Sequence, residues 1–153
     1  MVIRPPLHSD IETLVDLGAQ LHQESAYSFL PYDRHKVRAF IGAYVEDRDT
    51  RCALVADDGG ELIGVIGGAL IEYYFCNEQL VSDEILFVRR DHRNGMAAIA
   101  LIRGLQKWAI ARGARELCLS ISSNVNQEIT GKLFERLGFE RMGGIFKMRL
   151  EGG

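Results

Sequence analysis

The residues with the clearest chemical potential lie between Val81 and Arg112. The run Arg93-Asn94-Gly95-Met96-Ala97-Ala98 joins a predicted strand, Val81 to Val88, to a predicted helix from about Met96 to Arg112. A helix N-terminus presents unpaired N–H groups and the positive end of the helix dipole, so it suits a phosphate. Small side chains let that backbone come close to an anion, and Arg93 adds fixed positive charge. The pattern fits a pyrophosphate site, and an ordinary strand-to-helix turn uses the same residue types. Upstream in the strand stands Glu84. A carboxylate partly removed from water can hold a proton near neutral pH and act as a general base; the alternative is a solvated or ion-paired strand residue. Period two puts Glu84, Leu86 and Val88 on one face, and Asp83 with Ile85 and Phe87 on the other.

Other motifs carry less. Gly59-Gly60, Gly64 and Gly67-Gly68 suggest a glycine-rich phosphate loop, but they fall in a hairpin and strand with no helix after them. His22 and His35 have no carboxylate or cysteine at metal spacing, so no metal is expected. Cys118 has no histidine nearby to activate it. Ser122, Ser123, Asn124 and Asn126 could hydrogen-bond a ligand or cap the next helix. Tyr27, Phe29, Tyr32, Tyr73, Tyr74 and Phe75 come from two segments that could line a pocket or simply pack.

The elements that must position these groups are legible from periodicity. Val2–Arg4 reads as a strand ended by Pro5-Pro6. Ser9 or Asp10 caps a helix to about Glu24, with Ile11, Leu14, Val15, Leu17 and Leu21 on one face. Asp33 opens a second helix to about Asp47. Cys52–Ala56, a turn at Asp57-Asp58-Gly59-Gly60, and Glu61–Phe75 form a hairpin. Val81–Val88 completes an antiparallel meander. After the long helix, stopped by Gly113, Glu116–Ser122 alternates as a half-buried strand, parallel to Val81–Val88 because a helix connects them. A last helix spans about Gln127 to Leu137, and Phe139–Leu150 returns as one or two short strands.

The chain has 153 residues, 47% hydrophobic and 25% charged, with net charge -3. That length and balance point to one globular domain over 1–153, not to disorder. The acidic charge argues against a nucleic-acid partner. No uncharged apolar stretch of about 18 residues exists to span a membrane. The three cysteines form no CxxC pair and the N-terminus lacks a signal-peptide core, which reads as a reducing cytoplasm. The expected class is α+β: a mixed, mostly antiparallel sheet of six to seven strands flanked by four helices.

From about Val81 to Phe139 the sequence resembles the GCN5-related N-acetyltransferases, the GNAT family, and in particular its small bacterial and phage-borne members. Val88 precedes Arg93 by five residues, Arg93-Asn-Gly-Met-Ala-Ala98 opens a helix, and Leu101 falls where the motif carries leucine. Ser122-Ser-Asn124-Val-Asn126 and Leu133-Phe134-Glu-Arg-Leu-Gly138-Phe139 are similar to the family's later strand–Asn–helix motif. Met96 stands at the motif's first glycine; a second register puts Gly95 there and His92 at the arginine. Phe134 stands where the family has a tyrosine, the usual acid for the departing thiolate. Asn124 and Asn126 both remain open as the family's asparagine.

The resemblance implies acetyl-CoA as cosubstrate, without a metal, and direct attack of a primary amine on the thioester. It implies main-chain contacts from Leu86, Phe87 and Val88 to the pantetheine arm. Arg93, Asn94, Gly95, Met96, Ala97 and Ala98 would hold the pyrophosphate. Asn126 and Phe134 would border the cofactor, with Glu84 as base. The acceptor would be a small-molecule or protein amine, and homodimers occur in the family. Because Phe134 cannot donate a proton, a non-catalytic CoA-binding or interaction module is the alternative.

Overall fold

The computed structural model describes residues 1–93, 95–121 and 127–150. The sequence places hydrophobic residues at helical spacing where helices form. α1 (Ile11–Glu24) buries Leu14, Val15 and Leu17. α2 (Arg34–Glu46) begins at Asp33, whose carboxylate accepts the Lys36 N–H at 3.1 Å, as the sequence predicts. Asp10 behaves differently from that expectation. It makes no cap to α1 and reaches back to the Leu7 N–H at 2.7 Å and the Arg4 guanidinium at 2.8 Å. A charged partner outbids the helix end, because a charge-assisted hydrogen bond is the stronger one.

Five strands form one sheet in the order β1 (Val2–Arg4), β2 (Arg51–Asp58), β3 (Glu61–Glu72), β4 (Gln79–Val88) and β5 (Leu117–Cys118). The first four are antiparallel neighbours; β4 and β5 are parallel. The β2–β3 turn uses Gly59 and Gly60 at φ of 66° and 96°, a region favoured by residues without a Cβ, and the Asp57 carboxylate accepts the Gly60 N–H at 2.7 Å. α3 (Met96–Ala111) supplies the crossover from β4 to β5, and α4 (Gln127–Arg136) follows.

The sheet is covered on both faces. α1 packs Leu14 and Leu17 with Val55, Val65 and Phe87, while α3 and α4 pack Leu101, Ile102, Leu105 and Phe134 with Ile66, Val81 and Val88. The mixed α+β class with four helices is as expected, but the described residues form five strands, not six to seven. Phe139 still packs beneath Phe134, with ring centroids 5.9 Å apart. Beyond it, Glu140–Leu150 form no strand and are exposed. The alternation of Ile145 to Leu150 is a strand pattern, but a strand also needs a neighbouring backbone, and β5, the edge they would join, is only two residues long. Instead Lys147 donates to the Tyr27 phenol at 2.5 Å and the Arg149 guanidinium lies 3.7 Å over the Phe29 ring.

Candidate functional site

β4 is paired along its length on one side only. Against β3 the ladder runs from Gln79 to Val88; against β5 it holds Val81 and Ser82 and then stops. Continued in register, Ser120 would meet the main chain of β4. The Asp83 carboxylate intervenes, accepting the Ser120 N–H at 3.1 Å and its hydroxyl at 3.3 Å. A side chain thus takes the hydrogen bond that the next ladder step would have used, and the two strands part. Glu116–Ser122 was expected as a strand; Ser122 lies outside the described residues, and this fork is why only Leu117–Cys118 qualifies among the rest.

Past the fork, the direction of the β4 amides follows from parity. Arg89 donates to Ile63 on β3 at 2.8 Å, so Phe87, two residues back, also faces β3, while Leu86 and Val88 direct their main-chain groups to the open side. Of the three residues expected to pair with a pantetheine arm, two face the fork. Phe87 is 3% exposed in the α1 core, and its ring carries the Arg93 guanidinium at 5.3 Å.

A β-bulge settles the placement of the carboxylates. Gly67 pairs with Ile85 and Gly68 with Asp83, which leaves Glu84 without a partner residue across the ladder. The extra residue inverts the alternation. A Cβ on Gly67 would lie 3.3 Å from the Tyr44 ring, and one on Gly68 3.2 Å from Leu105. The Ile85 pair therefore faces α2 and the Asp83 pair faces α3. Glu84 turns toward α2, where it accepts a hydrogen bond from the Tyr44 hydroxyl at 2.5 Å. The period-two assignment of Glu84 to the face of Leu86 and Val88, with Asp83 opposite, is thus reversed. Burial, and then the bond to Glu84, raise the Tyr44 phenol well above its ordinary value, so it stays protonated and donating. Burial also lifts Asp83 to about 6, against the opposing pull of the two Ser120 hydrogen bonds.

Both carboxylates border one groove of about 530 Å³ that runs through the parted strands. Its walls include Leu86, Val88, Ala98, Leu133 and Phe134 on the α3–α4 side, and Leu21, His22, Tyr32, Phe40, Ile41 and Tyr44 on the α1–α2 side. Phe134 is 7% exposed and offers no proton. Thr130, one turn before it on α4, also lines the groove. The Nε2 atom of His22 is buried and has no hydrogen-bond partner among the described residues.

At the far end, Gly95 precedes α3 with φ of 88°. Nothing lies within 4 Å of a Cβ placed there, so glycine serves the backbone angle and not a lack of space. The left-handed glycine comes one residue before the position that the preferred motif register gives to glycine. Ala97 is buried against the core, Ala98 lines the groove, and Met96 points outward at 65% exposure. Arg93 keeps the expected five-residue relation to Val88 in a direct form: its Nε donates to the Val88 carbonyl at 2.7 Å. Its other branch binds Glu24 of α1 at 2.8 Å. The guanidinium therefore braces the loop against β4 and α1, and its charge is balanced by Glu24. Asn94, Ser122, Ser123, Asn124 and Asn126 lie outside the described residues.

Sequence reasoning missed Tyr44, Glu24 and the fork-forming role of Asp83. The signal for the bulge was the Gly67-Gly68 pair inside a strand; nothing local pointed to Tyr44, 40 positions from Glu84. At Cys118 burial, then Glu116 and Asp83, push the thiol up, away from the thiolate form that a nucleophile needs.

A parallel crossover whose strands separate over the N-terminus of the connecting helix brings open main-chain groups beside unpaired helical N–H groups. The chain matches the acetyltransferase (GNAT) family over residues 17–139 and belongs to that family. No curated protein matches the chain by sequence. Among solved structures, AAC(6')-Iy in complex with the bisubstrate analogue CoA-S-monomethyl-acetylneamine superposes with a TM-score of 0.77 at 22% identity, covering 98% of this chain and 97% of that one. A ribosomal-protein-alanine N-acetyltransferase from Brucella melitensis biovar Abortus 2308 gives 0.72 at 21% identity, with 98% and 100% covered. An acetyltransferase of Trypanosoma brucei gives 0.74 at 17%, with 97% and 99% covered. At these identities the likeness is one of fold.

Proposed function

We propose that this chain, acting as one domain in a reducing cytoplasm, transfers the acetyl group of acetyl-CoA to the primary amine of a small molecule. The observation that carries this reading is the fork: the main-chain groups of Leu86 and the N–H of Val88 open toward it and lead to the first turn of α3, the Val88 carbonyl being held by Arg93. Those groups pair with the amides of the pantetheine arm as a missing strand would. The amides around Gly95 to Ala98, with Asn94, receive the pyrophosphate. Arg93 holds that turn in shape through Val88 and Glu24.

The amine attacks the thioester carbonyl carbon, the C–S bond breaks, and the amine's proton passes to Glu84. Tyr44 fixes the Glu84 carboxylate by donating to it. The CoA thiolate departs and takes its proton from water, since Phe134 supplies none. The structural neighbour AAC(6')-Iy, an aminoglycoside N-acetyltransferase solved with CoA and with a bisubstrate analogue, supports a small-molecule acceptor. Phe134 supports one second reading, a CoA-binding module without turnover. Thermal melting with acetyl-CoA and thiol release with an amine panel separate the two. A melting shift with amine-dependent thiol release is expected. A shift without release supports the module, and no shift overturns both.

A further inference from the structure

We infer that the acceptor is a primary amine bearing a single positive charge on an aryl or otherwise apolar body. This rests on the acetyl-transfer reading above and adds the chemistry of the second substrate. The α1–α2 wall of the groove is made largely of Tyr27, Tyr32, Phe40, Ile41 and Tyr44. Its phenols are engaged within the protein: Tyr32 donates to the Val15 carbonyl at 2.7 Å, Tyr44 donates to Glu84, and Tyr27 accepts from Lys147. The wall therefore presents ring surfaces to a ligand, not hydroxyls. Such surfaces favour an apolar or aromatic partner.

Charge limits the acceptor further. Among the described groove-lining residues the anions are Asp83 and Glu84 alone, and only Glu84 faces the α2 side. One carboxylate neutralises one ammonium; a second ammonium brought against the ring wall would lose its water without gaining a partner.

The test compares acceptors with the full chain and acetyl-CoA. Thiol release is followed with 2-phenylethylamine and tyramine, with spermidine and kanamycin, and with a short peptide having a free N-terminus. The aryl amines are expected to exceed the polycations in kcat/KM by about 10-fold or more, the scale on which a shaped apolar pocket discriminates. A preference for the polycations or the peptide, or refusal of the aryl amines, overturns the inference. Phe40, 38% exposed and edge-on to Tyr44 at 5.3 Å, tests the wall directly. Phe40→Glu should lower 2-phenylethylamine turnover about 10-fold and raise that of spermidine, and an unchanged ratio contradicts the proposal. Melting with acetyl-CoA alone keeps the two readings apart. A retained shift with aryl amines refused removes only the acceptor class, whereas no shift removes acetyl transfer itself.

Discussion

The two sides of β4 are built to opposite ends. Toward β3 the strand is zipped from Gln79 to Val88, interrupted by one bulge. Toward β5 it is paired at Val81 and Ser82 only. The closed side buries Val65, Ile66 and Phe87 and supplies stability. The open side leaves main-chain groups and two carboxylates facing a groove. One strand can do both because the bulge at Glu84 and the Asp83–Ser120 bond lie side by side: the first aims a carboxylate, the second parts the strands. The difference teaches that the site is made by withholding pairing, not by adding a loop.

That contrast can be broken from either side. The largest effect is expected at Glu84→Gln, which keeps shape and hydrogen bonding to Tyr44 but removes the base. Turnover should fall by about 10²-fold or more, with the melting temperature and the KM for acetyl-CoA nearly unchanged. Retained turnover would take Glu84 out of the mechanism. Gly67→Val acts on the closed side. Its side chain would press on Ile85 and the Tyr44 ring, already 3.2 and 3.3 Å from a bare Cβ. Overpacking of this kind costs about 2 kcal/mol, read as a lower denaturant midpoint. An unaffected midpoint would mean that the ladder there is looser than described.

Gly95→Ala forces a side chain onto φ of 88° at a cost of about 1 kcal/mol. It should weaken acetyl-CoA binding more than it weakens folding, as calorimetry and melting together would reveal. Asp83→Asn, which keeps an oxygen for the Ser120 N–H, should have almost no effect at acid pH and a growing one as pH rises. Folding raises the Asp83 pKa from 3.8 to about 6, so the folded chain holds this proton more tightly than the unfolded one. The associated stability is fully present below about pH 4 and is lost as pH rises through 6. The Asn variant lacks that loss. It should match the parent near pH 4 and exceed it by about 3 kcal/mol above pH 7, the span of the shift at about 1.4 kcal/mol per unit. A gap that is constant with pH would show that Asp83 does not titrate as described.

Much of the fold was legible because it depends on local chemistry. The Asp33 cap, the Asp57–Gly60 turn and the helix after Gly95 each follow from residues within a few positions. The Val88–Arg93 spacing was legible too, and its physical content proved to be a side-chain bond to a carbonyl. What was not legible depends on partners distant in sequence. Counting by twos assigned Glu84 to the wrong face because a bulge adds a residue that periodicity cannot register. The length of β5 was misjudged because a side chain, Asp83, ends its ladder. The end of the chain alternates like a strand, yet alternation gives a strand only beside a backbone able to pair with it.

Hydrogen exchange along β4, with and without saturating acetyl-CoA, tests the open edge most directly. The account expects the Leu86 and Val88 amides to slow markedly on binding, together with those of Ala97 and Ala98, while Val65 and Ile66 on the closed side stay as they were. Binding of acetyl-CoA that leaves Leu86 and Val88 exchanging at their free rate would contradict it.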